Sequence, residues 1–153
     1  MSQKPFLINK ARAADLKKII EIEQTSFQED AFSVEQFRYF LKSDSAQFYV
    51  VCIDDSVIGY IILTTRKNST NVRVYSIAVA KEMRNAGVGQ FLLDFAEKIS
   101  AASGFTSISL EVSEHNEIAK YVYGKRNYLC TGKKSNYYKD GSNAILMKKN
   151  LHG

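Results

Sequence analysis

The succession "VYSIAVA", "MRNAGVGQFLLDFAEKI" and "SISLEV", between residues 74 and 112, restricts the fold more than any other part of this chain. A β-branched run leads into two glycines one residue apart. A helical pattern follows, with Val88, Phe91, Leu92, Phe95 and Ile99 recurring on one side, and then a second β-branched run. That is a β-α-β unit, so its two strands are expected to be parallel and its crossover right-handed.

The other elements fall around it. "FLINKA", residues 6–11, reads as a short strand. Asp15 precedes a helical run carrying Leu16, Ile19, Ile20, Ile22 and Glu23. Ser33 stands three residues before Gln36, the spacing of a capping box, and opens a helix with Phe37, Phe40 and Leu41 that ends near Ser43. "FYVVCI" and "VIGYIIL", separated by Asp54, Asp55 and Ser56, form an antiparallel hairpin. "NEIAKYVYGKR" is the last helix, with Ile118, Tyr121 and Val122 on a core-like face and Asn116 and Tyr123, seven residues apart, sharing another, and "NAILMKK", after the turn "KDGS", is the last strand. The order is β-α-α-β-β-β-α-β-α-β-β. It predicts an α/β (α+β) chain with a central mixed, mostly antiparallel sheet flanked by helices. A length of 153 residues suits one domain, residues 1–153.

A helix start presents unpaired N–H groups and the positive end of its dipole, so a glycine turn leading into it suits an anion such as phosphate. Two dinucleotide patterns fail on spacing. A Rossmann fingerprint requires Gly or Ala where Leu92 stands, and a P-loop requires Gly-Lys-Ser/Thr where Gly89 is followed by Gln90 and Phe91.

Composition narrows the partners. Twenty-one Lys and Arg against 16 Asp and Glu leave a formal charge of +5, spread along the chain, with Lys125, Arg126, Lys133 and Lys134 gathering late. A diffuse excess favours a small polyanion over nucleic acid, and no nucleic-acid motif accompanies it. No apolar run approaches the roughly 20 residues that span a bilayer, and the N-terminus has no secretion signal, so a cytoplasmic, non-membrane protein is expected. Cys52 and Cys130 lie in apolar runs and are expected to be buried. With only His115 and His152 besides, no metal is expected.

"RNAGVG", residues 84–89, resembles the pyrophosphate-binding signature Gln/Arg-x-x-Gly-x-Gly/Ala of the GNAT acyl-CoA N-acetyltransferases. The resemblance extends over nearly the whole chain. "VYSIAV" corresponds to the strand before the signature and "SLEV" to the strand after it, and "NEIAKYVYGKRNY" is similar to Asn-x-x-Ala-x-x-x-Tyr-x-x-x-Gly-Phe. "LEV", "SNYY" and "NAILM" resemble the ribosomal-protein alanine acetyltransferase branch in particular. The chain departs from that branch at Ala31-Phe32-Ser33, where the branch has Pro-Trp-Ser, and at Ser113, where it has Arg. Asn127 and Tyr128 replace the Gly-Phe pair, and Asn127 suits the same left-handed cap.

The resemblance implies a GNAT fold and acetyl-CoA (coenzyme A) as cosubstrate. The backbone of Ile77, Ala78 and Val79, with Asn116 from the other side, would hold the pantetheine. Arg84, Asn85, Ala86, Gly87, Val88, Gly89 and Gln90 would hold the pyrophosphate. Glu111 is implied as the base, Tyr123 as the acid that protonates the departing thiolate, and Phe32 and Tyr137 as contacts to the acceptor. An α-amine, with pKa near 7.7–8.0, loses its proton at neutral pH for about 1 kcal/mol, whereas a lysine costs several, so a carboxylate base suits the first. The acceptor implied is a protein or peptide N-terminus, such as that of a ribosomal protein. Acetylation of a lysine or small amine, and a non-catalytic acyl-CoA sensor, stay open. His115 reads as a helix-start residue.

Overall fold

The computed structural model describes residues 5–151. Its strands are β1 (Leu7–Lys10), β2 (Ala46–Ile53), β3 (Ser56–Thr65), β4 (Asn71–Val79), β5 (Ser107–Ser113), β6 (Leu129–Lys134) and β7 (Ala144–Asn150). Its helices are α1 (Leu16–Phe27), α2 (Val34–Lys42), α3 (Val88–Ala102) and α4 (Glu117–Lys125), in the order expected. The strands form one mixed, mostly antiparallel sheet, ordered β1-β2-β3-β4-β5-β7-β6. Its parallel pair is β4 with β5, registered Asn71–Arg73 against Ser107–Ser109. The described chain forms two compact units. One comprises the chain up to Thr64 with Tyr75–Ala96, the other Thr65–Val74 with the chain from Glu97 onward.

The first unit is built on an aromatic and aliphatic core. Ile19, Phe37, Val50, Tyr60 and Ile62 are essentially inaccessible, and each fully buried apolar side chain of this size contributes about 1.5–3 kcal/mol. The helix α2 begins at the expected capping box. Gln36 N–H donates to Ser33 Oγ at 3.2 Å, and Ser33 N–H donates to Gln36 Oε1 at 2.8 Å. At Gly59 a Cβ would lie 2.9 Å from the Ala78 carbonyl oxygen, so glycine is what allows β3 to lie against β4 there. The apolar stripe of α3 is rotated from the expected one. Val88, Leu92, Leu93 and Ala96 are buried, while Phe91 lies at the border and meets Phe6 edge-on.

In the second unit β7 runs antiparallel between β5 and β6, with Glu111 opposite Leu146 and Cys130 opposite Met147. Ile108, Leu110, Val112, Tyr128, Ala144 and Met147 make its core. Two expectations fail here. Cys130 is exposed, because β6 is an edge strand that turns almost its whole length to solvent. Ile118 and Tyr121, read as a core-facing side of α4, are 80% and 65% exposed, and α4 has no fully buried residue.

Candidate active site

In the first unit, β4 delivers Ile77, Ala78 and Val79 into the turn before α3. The strand alternates, with Ala78 buried and Ile77 and Val79 half-buried on its other side. The turn that follows has positive φ at Asn85 (70°) and Gly87 (83°), a backbone that L-residues other than Asn and Gly avoid. Phe91 N–H donates to the Gly87 carbonyl at 3.0 Å, which makes Gly87 the residue that caps the helix. Arg84, Asn85, Ala86, Gly87 and Gln90 are exposed, Gly89 is half-exposed and Val88 is buried as the anchor of the turn. The first N–H groups of a 15-residue helix therefore start beside a strained, open loop, a setting that fits pyrophosphate oxygens. Arg84 folds back over this segment, Nε donating to the Val79 carbonyl at 3.4 Å and Nη2 to Ser26 Oγ at 3.1 Å.

Phe32 belongs to the same unit. Its half-buried ring lies 5.3 Å from that of Tyr75 on β4 and 6.0 Å from that of Phe37.

In the second unit, Glu111 points from the half-buried side of β5 into a group of cations. Arg73 of β4 approaches as a fork, Nε to Oε2 at 3.1 Å and Nη2 to Oε1 at 3.1 Å, and Lys134 of β6 donates to Oε1 at 3.0 Å. The Arg73 Nη2 also donates to the Tyr137 hydroxyl at 3.1 Å, and Lys134 Nζ lies 5.4 Å from the Tyr137 ring. Two expected site residues, Glu111 and Tyr137, are thus brought together by two that the sequence reading missed. A carboxylate offers about four acceptor positions, so three donors leave one, on Oε2. The loop bearing Tyr137 is tied down by Tyr137 N–H and Tyr138 N–H donating to the Ser142 carbonyl.

Beyond β5, His115 is exposed and its N–H donates to Ser113 Oγ at 3.2 Å, just before the start of α4. Asn116 is the N-cap, its Oδ1 accepting from Ala119 N–H at 3.0 Å. The sequence reading placed it on a helical face with Tyr123, whereas it stands at the helix boundary with its oxygen engaged and its amide nitrogen available. Tyr123 is half-buried two turns on, with its ring 5.7 Å from that of Tyr128. Burial pushes its phenol above the ordinary tyrosine value. Among the described residues its hydroxyl has no hydrogen-bond partner.

The missed residues had a signal. Arg73 is the one charged residue in a strand that has neighbours on both sides, and an arginine there is costly unless paired. Glu23 falls in the apolar stripe of α1, seven residues after Leu16, and is 1% exposed. Of the late cluster of basic residues, Lys134 pairs with Glu111 and Arg126 with Glu97, so half of it serves internal ion pairs. Among the described residues no group of three His, Cys, Asp or Glu could hold a metal ion, and no helix is long and apolar enough to cross a membrane. His152 lies outside the described residues.

Residues 16–128 match the model of the acetyltransferase (GNAT) family. This chain belongs to that family, and with it to the acetyl-CoA-dependent N-acetyltransferases. Its relatives make the likeness more particular. An N-alpha-acetyltransferase of Saccharolobus solfataricus is 31% identical over 95% of this chain and 93% of its own length. The crystal structure of Ard1 from Thermoplasma volcanium superposes with a TM-score of 0.89 at 26% identity, covering 97% of this chain and 99% of that one. The ribosomal-protein-S18-alanine N-acetyltransferase of Escherichia coli shares the fold, with a TM-score of 0.86 at 20% identity over 97% and 96% of the two chains.

Proposed function

We propose that this chain acts in the cytoplasm, with residues 1–153 working as one catalytic domain, to acetylate the N-terminal α-amine of a protein or peptide by direct transfer from acetyl-CoA. The observation that carries the reading is the Arg73–Glu111–Tyr137 group: a carboxylate held in one orientation, with one acceptor position left, beside a half-exposed phenol. The similarity to an N-alpha-acetyltransferase over nearly the full length supports the choice of an α-amine.

In this reading Glu111 Oε2 takes the amine proton, directly or through a water, and the amine attacks the thioester carbonyl. Tyr123, whose hydroxyl is uncommitted among the described residues and which, like any phenol, is protonated at neutral pH, gives its proton to the departing thiolate. The backbone of Ile77, Ala78 and Val79 and the amide of Asn116 hold the pantetheine. Residues 84–89 and Gln90 hold the pyrophosphate, which requires Arg84 to swing from Ser26. Phe32 and Tyr137 flank the acceptor.

The test follows coenzyme A release with peptides bearing a free N-terminal Ala, the same peptides N-terminally blocked but containing Lys, and polyamines. Release with the free α-amine is expected. Release with only the blocked Lys peptides or polyamines overturns the acceptor, and release with none overturns the activity. Tyr123→Phe is expected to lower kcat about 100-fold, within the range for one general acid. An unchanged kcat removes Tyr123 from the mechanism.

A further inference from the structure

In the first unit, Glu23 is an ionisable side chain, nearly inaccessible and unused by the chemistry above. It lies at a position of α1 that the helical pattern reserves for an apolar side chain. Its Oε2 accepts from Phe32 N–H at 2.9 Å, and its Oε1 accepts from the Tyr60 hydroxyl. The Tyr60 oxygen in turn lies 2.9 Å from Ser76 Oγ. Tyr60 and Ser76 are buried as well. Tyr60 has one proton, so if it donates to Glu23, the Ser76 hydroxyl donates to Tyr60, and the chain of bonds closes without an unmet donor.

The two ends of this chain matter. One is the main chain at Phe32, in the connection from α1 to α2. That connection opens with Gln28 in a left-handed conformation (φ 49°) and passes through a 3-10 turn at Gln28–Asp30. It ends in the Ser33–Gln36 capping box. Phe32 is therefore fixed from behind by Glu23 and from ahead by the cap. The other end is Ser76 of β4, next to Tyr75, against which the Phe32 ring rests, and next to Ile77. Burying a carboxylate costs stability that an apolar residue at this position would avoid, and such costs concentrate where a geometry must be held.

We infer that Glu23 is a positioning residue for the acceptor side of the site, holding Phe32 in register with β4 through Tyr60 and Ser76. The inference rests on the reading of Phe32 as a wall of the acceptor site. Glu23→Gln keeps size and shape but replaces one acceptor by a donor, so either the bond from Phe32 N–H is lost or the Tyr60 and Ser76 hydroxyls must reverse direction. The expected result is a rise of about tenfold in KM for a peptide with a free N-terminal Ala, the size of effect one hydrogen bond carries. The KM for acetyl-CoA should change less than twofold and kcat less than threefold. Tyr60→Phe, which removes one hydroxyl, is expected to raise peptide KM about threefold, and the double variant no more than Glu23→Gln alone. Hydrogen exchange over residues 28–36 should quicken in both variants while β3 stays protected.

Phe32→Ala separates the two levels. If it leaves peptide KM unchanged, the acceptor wall is wrong and the inference falls with it. If it raises peptide KM while Glu23→Gln and Tyr60→Phe do not, the wall stands and the role of Glu23 is overturned. A uniform loss of activity that follows only the folded fraction also overturns it.

Discussion

The two units bury carboxylates by opposite means. In the first, Glu23 is satisfied by a backbone N–H and a phenol, both neutral. In the second, Glu97 and Glu111 each meet two cations. Glu97 accepts from Arg126 at 3.2 Å, Lys149 at 2.6 Å and the Tyr128 hydroxyl at 2.9 Å, while Glu111 accepts from Arg73 and Lys134. The neutral arrangement leaves desolvation dominant and holds the Glu23 carboxyl above its usual range. The ionic arrangement supplies orientation. A guanidinium fork sets both oxygens of Glu111 at once, which a carboxylate facing water would not have.

The largest effect expected from this contrast is at Glu97. Glu97→Ala removes at once the acceptor shared by Arg126, Lys149 and the Tyr128 hydroxyl, and should cost about 3 kcal/mol of stability. For a chain of this size that is a fall in Tm of about 6–12 °C by thermal denaturation. A fall under about 3 °C would mean that the ionic cluster is ornamental to the second unit.

Arg73→Lys keeps the charge beside Glu111 but loses the fork and the reach to Tyr137. It should lower kcat about tenfold, or about 1.4 kcal/mol, with little change in Tm. Steady-state rates that match the unmodified protein would show that orientation of Glu111 is immaterial.

The smallest effect is at Glu23 and depends on pH. Its carboxyl is raised in the folded chain, so the folded state binds the proton more tightly than the unfolded state. Stability from this group therefore falls as pH rises from the ordinary value of 4.5 through the raised folded value. Glu23→Gln has no such dependence. The Tm difference between the two proteins should therefore shift in favour of the variant as pH rises from acid to neutral. A difference constant with pH contradicts the neutral clamp.

Local patterns made most of the fold legible. The β-α-β unit, the Ser33 capping box, the glycine turn before α3 and the left-handed cap at Asn127 (φ 74°) each depend on a few neighbouring residues. What escaped depends on tertiary neighbours. The exposure of Cys130 follows from β6 lying at the sheet edge, and that of Ile118 and Tyr121 from nothing covering that side of α4 among the described residues. The Arg73–Glu111 fork joins residues 38 positions apart, and Lys134 arrives 23 positions after Glu111. Single charges in apolar strands and stripes were visible, but their partners were not.

Glu111 is proposed to relieve an α-ammonium of its proton. The most direct measurement is the rate of coenzyme A release by Glu111→Gln and the unmodified protein on a peptide with free N-terminal Ala, followed from pH 7 to pH 9. A deficit of about 100-fold is expected at pH 7 that narrows toward pH 9, because an amine with pKa near 8 then sheds its proton unaided. Equal rates at pH 7, or a deficit that does not change with pH, would contradict it.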